Sequence, residues 1–330
     1  KSFQVEKDIK YADIIIPTID TIRTEALVQM MVLCGRQVLV TGETGTGKSA
    51  FINNMIDGIL DKTKFTPIFV NFSAQTTANQ TQDIIDGKLG KRRKGVFGPS
   101  PGFTATIFVD DLNMPKKEEY GAQPPIEILR AWMDHNGWWD RHDPTWAFKS
   151  IVNVQFIAAM GPPGGGKTQI TSRYVRHFNM INIVPFDAES LKIIFSAICT
   201  WFLADFGSSI KKMGDSLVSA SAEVYNEVNR VLLPTPIKSH YTYNLRDLSK
   251  VFQGLASANG EIMNDSKEMI RLWGHECSRV FRDRLINEED RGKFDEMLEH
   301  GCKDNFRAEW KDVKGKQELI FGNFLDPQID

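Results

Sequence analysis

The first half of the chain alternates short apolar runs with stretches of helical periodicity. This alternation is typical of a parallel sheet with crossover helices. Several of the runs are nearly continuous in apolar or β-branched residues, as strands buried on both faces should be. The five predicted strands cover residues 37–41, 67–72, 104–110, 151–158 and 181–184.

Beyond Pro185 the pattern changes to helices, with Asp187 as the predicted N-cap of the first one. Apolar side chains then recur at helical spacing, at Leu191, Ile194, Phe195, Ile198, Trp201 and Phe202. No later strand is predicted, and the polar, weakly periodic residues 301–330 are interpreted as a linker. We therefore predict an α/β domain over residues 1–187 and an all-helical domain with its linker over residues 188–330.

A glycine-rich loop follows the first predicted strand and precedes a predicted helix. It matches the P-loop pattern G-x-x-x-x-G-K-[ST] through Gly42, Glu43, Thr44, Gly45, Thr46, Gly47, Lys48 and Ser49. Such glycines let backbone N–H groups curl around phosphate oxygens, and the helix N-terminus adds its positive dipole end. We predict that Lys48 reaches the β- and γ-phosphates of a bound ATP and that the Ser49 hydroxyl ligates Mg²⁺.

A second segment, residues 161–168, satisfies the same pattern and also follows a strand. A working P-loop needs a later strand that ends in an acidic residue, within a sheet of several strands. Only one predicted strand, 181–184, follows Thr168, so a second complete nucleotide domain does not fit. We interpret the segment as a loop at the sheet edge, beside the nucleotide of the first P-loop.

An apolar strand that ends in Asp110 and Asp111 lies downstream of the P-loop, in the pattern known as Walker B. Asp110 is predicted to hold Mg²⁺, directly or through water, and Asp111 to orient the attacking water. A pair of acids at a strand end is often only a turn. Its position after a P-loop favours the catalytic interpretation.

Composition narrows the class of partner and the compartment. The 330-residue chain has a formal net charge of −2, so no basic excess indicates nucleic acid or a membrane surface as a partner. Its four cysteines lack metal-ligand spacing and are interpreted as free thiols in the reducing cytoplasm. No apolar run reaches the roughly 18 residues of a membrane span. We expect the chain to be a part of a longer protein.

Six stretches resemble the third AAA+ module of axonemal dynein heavy chains, and the similarity runs over nearly the whole chain. They are IPTID (16–20), FVDDLNMP (108–115), YGAQPPIE (120–127), GPPGGG (161–166), RYVRHFN (173–179) and NLRD (244–247). The resemblance implies a five-stranded sheet with a helical lid, binding of ATP or ADP with Mg²⁺, and ATPase activity. It also implies neighbouring AAA+ modules of the same heavy chain as partners, and microtubules only through the full-length motor in a ciliary or flagellar axoneme.

The resemblance assigns roles to single residues as well. Ile14, Ile16 and Pro17 would cover the adenine base. Arg173 or Arg176 would act as an arginine finger toward a neighbouring module's nucleotide, and Arg173 is preferred.

Arg246 matches the lid arginine that senses the γ-phosphate in this family. If Asn244 is the N-cap, Arg246 falls in the first helical turn, where the helix dipole disfavours a cation. An anionic ligand facing Arg246 would account for its position. The alternative is an exposed arginine with little strain.

Two residues depart from the family pattern. Asp111 stands where most AAA+ modules carry glutamate. The strand before the second glycine-rich segment, called the sensor strand in this family, ends here in Met160-Gly161, where a polar side chain is usual. The shorter aspartate holds its carboxylate further from the attacking water. Both departures predict slow hydrolysis and leave nucleotide binding unaffected.

Two clusters have open interpretations. Residues 91–94 are basic and lie in a long predicted connection, either as a solvated face or as an edge that meets a phosphate or an acidic partner. Four tryptophans, Trp132, Trp138, Trp139 and Trp146, either pack around a helix or form a contact surface for an adjacent module.

These observations favour an ATP-binding, slowly hydrolysing AAA+ module that regulates a ring-shaped microtubule motor through its lid angle. One alternative is a structural module that keeps ADP or ATP without turnover. Another is a homohexameric AAA+ remodelling ATPase. Size-exclusion mass with ATP separates the last from the dynein hypothesis, which predicts a monomeric fragment.

Overall fold

The computed structural model describes residues 5–7, 9–260, 262–263, 265–315 and 319–322. The chain divides into two compact units, Ile19–Pro185 and a discontinuous unit of Lys1–Thr18 with Phe186–Asp330. The first is an α/β unit and the second is helical. In the described part of the chain, no helix is both long and apolar enough to cross a membrane.

The α/β unit contains two sheets. Its strands are β1 Val38–Gly42, β2 Phe65–Asn71, β3 Gly90–Arg93, β4 Val96–Gly98, β5 Thr104–Asp110, β6 Gly137–Trp139, β7 Phe148–Ile151, β8 Val154–Met160 and β9 Asn179–Ile183. The central sheet has five strands in the order β2-β5-β8-β1-β9, and every pairing in it is parallel. The α/β prediction is therefore confirmed.

Helices cover both faces of the central sheet. They are α1 Ile19–Leu33, α2 Lys48–Asn54, α3 Ala78–Asp86, α4 Pro124–His135 and the short α5 Ser172–Val175, with a π-helical turn, Met55–Ile59, after α2. Leu39 and Val109 pack in a core with α3 and α4, whereas Val40 and Phe108 pack with α1 and α2. Successive side chains of a strand point to opposite faces, so these strands are buried on both sides.

The second sheet, in the order β3-β4-β7-β6, was not predicted. The basic residues 91–94, assigned to a connection, lie on β3 and its turn into β4. The predicted strand 151–158 is likewise wrong at its start, because it joins the last residue of β7 to β8 across Asn153, whose φ is +55°.

The tryptophan cluster separates into two pairs. Trp132 and Trp138 are buried, and their indole N–H groups donate to the Ile151 carbonyl oxygen and to the Asp86 carboxylate, each at 3.1 Å. Trp139 and Trp146 are exposed. The packing interpretation therefore holds for the first pair only.

The helical unit contains seven α-helices in its described residues. They are α6 Ala188–Phe202, α7 Ser208–Lys211, α8 Gly214–Val231, α9 Leu245–Ala256, α10 Ser266–Val280, α11 Glu288–Phe306 and α12 Trp310–Lys314. Asp187 caps α6 as predicted, since its carboxylate accepts a 2.8 Å hydrogen bond from the Ser190 N–H. No strand follows Ile183 among the described residues.

The N-terminal residues belong to the helical unit, although the sequence grouped them with the α/β domain. Ile16 is buried in the core of the helical unit. The Tyr11 hydroxyl donates a 2.7 Å hydrogen bond to the Ser249 carbonyl oxygen in α9, and burial raises the pKa of Tyr11 to about 12. These contacts between residues distant in sequence leave no periodic signal in a short segment.

The predicted linker, residues 301–330, is structured over its described first part. Helix α11 continues to Phe306, and α12 buries Trp310 and Val313. A Cβ on Gly274 of α10 would lie only 2.0 Å from the Trp310 ring, so this glycine makes room for the tryptophan. Residues 323–330 lie outside the described part of the chain.

Candidate nucleotide site

The predicted P-loop connects β1 directly to α2. Gly42 lies so close to β9 that a Cβ there would approach the Ile183 carbonyl oxygen to 2.7 Å. Gly47 has a φ of +77° and immediately precedes Lys48, the first residue of α2. Both positions therefore require glycine, one for space and one for its left-handed backbone.

Lys48 is buried inside the curl of this loop. Its ammonium donates to the carbonyl oxygens of Gly42 at 2.9 Å and Glu43 at 2.5 Å, and to the Thr46 hydroxyl at 3.2 Å. The Thr46 hydroxyl in turn donates to the Glu43 carbonyl oxygen at 2.9 Å. The cation is thus positioned at the loop that would receive a polyphosphate. Ser49 follows it in the first turn of α2.

The two carboxylates lie at the end of β5 and the start of the turn that follows. Asp110 is half-buried and accepts a 2.9 Å hydrogen bond from the Asp111 N–H. Asp111 is exposed and has a φ of +49°, an uncommon value for a residue with a side chain. Strand β8 separates β5 from β1. Since the carboxyl ends of parallel strands meet at one edge of the sheet, the P-loop and the acidic pair share that edge.

Magnesium fits this donor set. The Ser49 hydroxyl and the Asp110 carboxylate are hard oxygen ligands of the kind that Mg²⁺ prefers, usually together with waters and substrate phosphates.

The second glycine-rich segment has a different construction. Gly164 and Lys167 exchange backbone hydrogen bonds of 2.9 and 3.0 Å, so these N–H groups are already paired within a tight turn. The backbone N–H and the hydroxyl of Thr168 both donate to the Asn113 carbonyl oxygen, at 2.9 and 3.1 Å. No helix starts here in the described chain until α5, which begins at Ser172. The segment therefore lacks the strand–loop–helix context of a phosphate-binding loop.

Lys167 was not among the predicted site residues, yet the structure places it beside the P-loop. Its ammonium lies 3.4 Å from Thr44 Oγ1 and 3.3 Å from Asp111 Oδ1. In the sequence, Lys167 belongs to residues 161–168, the second match to the P-loop pattern, which was interpreted as a loop without a nucleotide of its own. The signal that could have found it was the positive charge in a loop already expected beside the nucleotide.

The two candidate finger arginines have different surroundings. Arg176 donates to the Asp134 carboxylate of α4 at 2.8 Å. Burial raises the pKa of Asp134, but hydrogen bonds from Arg176 and Arg130 outweigh it and hold that pKa below its ordinary value. Arg173 is exposed on α5, and no ion pair to its guanidinium is found among the described residues.

The remaining predicted site residues belong to the helical unit. Ile14 and Pro17 are half-buried, and Ile16 is in the core of that unit. Asn244 caps α9 as expected, accepting a 2.8 Å hydrogen bond from the Arg246 N–H. Arg246 therefore lies in the first turn of α9, exposed.

Three features define the AAA+ class of P-loop ATPases. They are a P-loop at the end of a parallel strand, an acidic strand two positions away in the same sheet, and a separate helical unit. Comparison with known proteins narrows the class. Residues 3–186 match the family described as P-loop containing dynein motor region, and residues 217–314 match the AAA+ lid domain. The chain belongs to this family of dynein motor regions.

Three similar proteins are axonemal dynein heavy chains by name. The chain is 46% identical to dynein axonemal heavy chain 1 of Mus musculus over 99% of its length, and 42% identical to dynein axonemal heavy chain 12 of Rattus norvegicus over 100%. It is 41% identical to dynein axonemal heavy chain 6 of Homo sapiens over 98%. The chain spans only 8%, 11% and 8% of these relatives, respectively.

Proposed function

We propose that this chain is an ATP-binding AAA+ module that hydrolyses ATP slowly and regulates an axonemal dynein motor as the third module of its ring. The observation that carries the proposal is the placement of Lys48 inside a strand–loop–helix P-loop, on the same sheet edge as Asp110 and Asp111. The family match and the axonemal names of the relatives support the motor context.

In this proposal the loop of residues 42–49 cradles the phosphates of ATP or ADP, and Lys48 neutralises the β- and γ-phosphates. Ser49 and Asp110 hold Mg²⁺ between the phosphates and the sheet edge. Asp111 orients the attacking water, and its short, exposed side chain makes the reaction slow.

Regulation would depend on residues that respond to a nucleotide without belonging to the P-loop. Arg246 senses the γ-phosphate, and Ile14, Ile16 and Pro17 cover the adenine base. Arg173 reaches the nucleotide of a neighbouring module of the same heavy chain, which its exposure permits. Microtubules are reached only through the full-length motor, in the axoneme of a cilium or flagellum.

A module that keeps its nucleotide without turnover is the second candidate. The contact between Lys167 and Asp111 favours it, because a carboxylate oxygen that accepts from an ammonium is not available to orient the attacking water.

The nucleotide that stays bound on purification, together with its exchange and single-turnover hydrolysis rates, tests these functions. We expect one bound nucleotide per chain, slow hydrolysis and a monomeric mass by size exclusion with ATP. Bound nucleotide without any turnover would establish the structural module. A hexameric mass would support the remodelling ATPase, and failure to bind any nucleotide would overturn all three.

A further inference from the structure

The ammonium of Lys167 contacts both parts of the candidate nucleotide site. Thr44 belongs to the P-loop, and Asp111 follows the Walker B aspartate at the end of β5. The lysine side chain is 17% exposed, although it comes from an exposed glycine-rich turn. It therefore reaches inward from the loop across the sheet edge, instead of extending into solvent.

The backbone that carries Lys167 is fastened on both sides of the turn. The buried Asn113 side chain donates a 2.8 Å hydrogen bond to the Gly161 carbonyl oxygen, before the turn. After the turn, the Thr168 hydroxyl accepts a 2.6 Å hydrogen bond from the side-chain amide of the buried Gln123. Buried hydrogen bonds fix the loop, while the four-carbon stem of the lysine stays adjustable.

Gly161 leaves the space that the Lys167 side chain occupies. A Cβ at this position would lie 2.6 Å from Lys167 Nζ and 3.0 Å from its Cδ. Strand β8, which separates the P-loop strand from the acidic strand, ends at Met160 without a titratable or hydroxyl side chain. The ammonium of Lys167 thus supplies a polar group at the end of β8 that the strand itself does not.

The two contacts of the ammonium are easily exchanged. At 3.3 and 3.4 Å they are longer than the roughly 2.7–2.9 Å of a strong charge-assisted hydrogen bond. The terminal phosphate of a triphosphate carries more negative charge than the single Asp111 carboxylate and offers more acceptor oxygens. An ammonium within a few ångströms of both will therefore prefer the phosphate.

We propose that Lys167 senses the terminal phosphate in cis, leaving Asp111 for the γ-phosphate of a bound triphosphate and returning to Asp111 when only a diphosphate is present. The proposal rests on ATP binding at the P-loop, as proposed above. Its consequence is selectivity: Lys167 favours ATP over ADP. Its departure also frees the Asp111 carboxylate for water at the moment when a γ-phosphate is present to be attacked.

The test compares affinities for Mg²⁺ complexes of ADP and of the β,γ-imido analogue of ATP, which cannot be hydrolysed, by calorimetric titration of the whole chain. We expect Lys167→Met to weaken binding of the imido triphosphate about tenfold, equal to about 1.4 kcal/mol, and binding of ADP less than about twofold. Lys167→Arg should restore most of the selectivity, because it keeps the charge.

Lys88→Met is the matched control, because it removes the same charge from an exposed lysine outside the site. It should change neither affinity. Gly161→Ala keeps Lys167 but obstructs its stem, so it should reduce the selectivity in the same direction.

Equal losses for both nucleotides in Lys167→Met, or no loss for either, would overturn the sensing role while leaving ATP binding established. If the unsubstituted chain binds neither nucleotide, the proposed function itself fails. The two failures are therefore distinguishable.

Discussion

Asn113 ties the segment after β5 to the end of β8, because its side-chain amide donates a 2.8 Å hydrogen bond to the carbonyl oxygen of Gly161. The asparagine is 1% exposed, so water cannot replace the lost donor when it is truncated. We expect Asn113→Ala to lower the free energy of unfolding by about 1–3 kcal/mol. Urea denaturation measures this, with the exposed Asn79→Ala as control. Equal midpoints for the two variants would show that the bond contributes nothing.

The chain should bind one nucleotide, through Lys48. Lys48→Ala removes the ammonium positioned in the P-loop, and we expect the affinity for ATP to fall at least about a hundredfold, or about 2.7 kcal/mol. Thr168→Ala removes the hydroxyl of the second motif, which bonds to Asn113 and Gln123, and ATP affinity should fall far less than in Lys48→Ala. The number of nucleotides bound per chain, measured by calorimetric titration, tests this prediction. Two binding events, one of them lost in Thr168→Ala, would contradict the single-site prediction.

Asp111→Asn should separate binding from hydrolysis. The amide keeps the size of the carboxylate but cannot act as a base, so we expect single-turnover hydrolysis to fall at least about tenfold. Affinity for MgATP should change little, whereas Asp110→Asn should weaken it by removing a magnesium ligand. Unchanged turnover in Asp111→Asn would mean that another group orients the water.

Arg173 is expected to act only in trans. In the isolated chain, Arg173→Ala should leave ATP affinity and turnover unchanged, because its guanidinium extends from α5 into solvent. In the assembled motor the same substitution should slow hydrolysis at the neighbouring module, since fingers contribute about 10³–10⁵ in rate. Arg176→Ala is the control, because Arg176 is held by Asp134 in cis. A tenfold loss of ATP affinity in the isolated Arg173→Ala chain would place this arginine in cis.

The helical unit should lose stability in acid through Asp290. Its buried carboxylate accepts hydrogen bonds from Lys238 Nζ at 2.5 Å and Tyr241 Oη at 2.9 Å. Burial raises the pKa of Asp290, but these bonds outweigh it and hold that pKa below its ordinary value. A carboxyl with a lowered folded pKa stabilises above its unfolded pKa of about 3.9. That stabilisation is lost as the pH falls through the folded pKa.

We therefore expect Asp290→Asn to lower the free energy of unfolding at pH 7 by about 1–3 kcal/mol, and the difference from the unsubstituted chain to shrink below about pH 4. Denaturant unfolding at several pH values measures both effects, with the exposed Asp304→Asn as control. A difference that stays constant down to pH 2 would contradict the assignment.

The central sheet could be predicted because most of its strands are nearly continuous in apolar or β-branched residues, and the structure shifts their bounds by at most three residues. The second sheet could not, since its strands have three or four residues and one of them is mainly basic. The two halves of this sheet are joined by pairing between β4 and β7, Val96 opposite Ser150, and a single short segment carries no trace of such a distant partner.

The candidate nucleotide site also has one part that the sequence could predict and one that it could not. The P-loop and the acidic pair are local patterns with a fixed spacing, so the sequence alone can predict them. Lys167 belongs to the site only because the loop that carries it is bonded to Asn113, from another strand end. The packing of Ile16 could not be predicted for a similar reason, since its neighbours lie on helices far later in the chain.

The helical unit is formed by two segments that flank the α/β unit in the sequence, so the two units are completed one after the other during translation. The continuous segment Ile19–Pro185 leaves the ribosome before α9 exists, so the α/β unit can fold while the rest is still being made. Tyr11 is synthesised before this segment, yet its partner Ser249 is synthesised after it. Tyr11 must therefore wait until α9 has been synthesised, and the sheet that carries the P-loop is complete before the helical unit can pack around Tyr11 and Ile16.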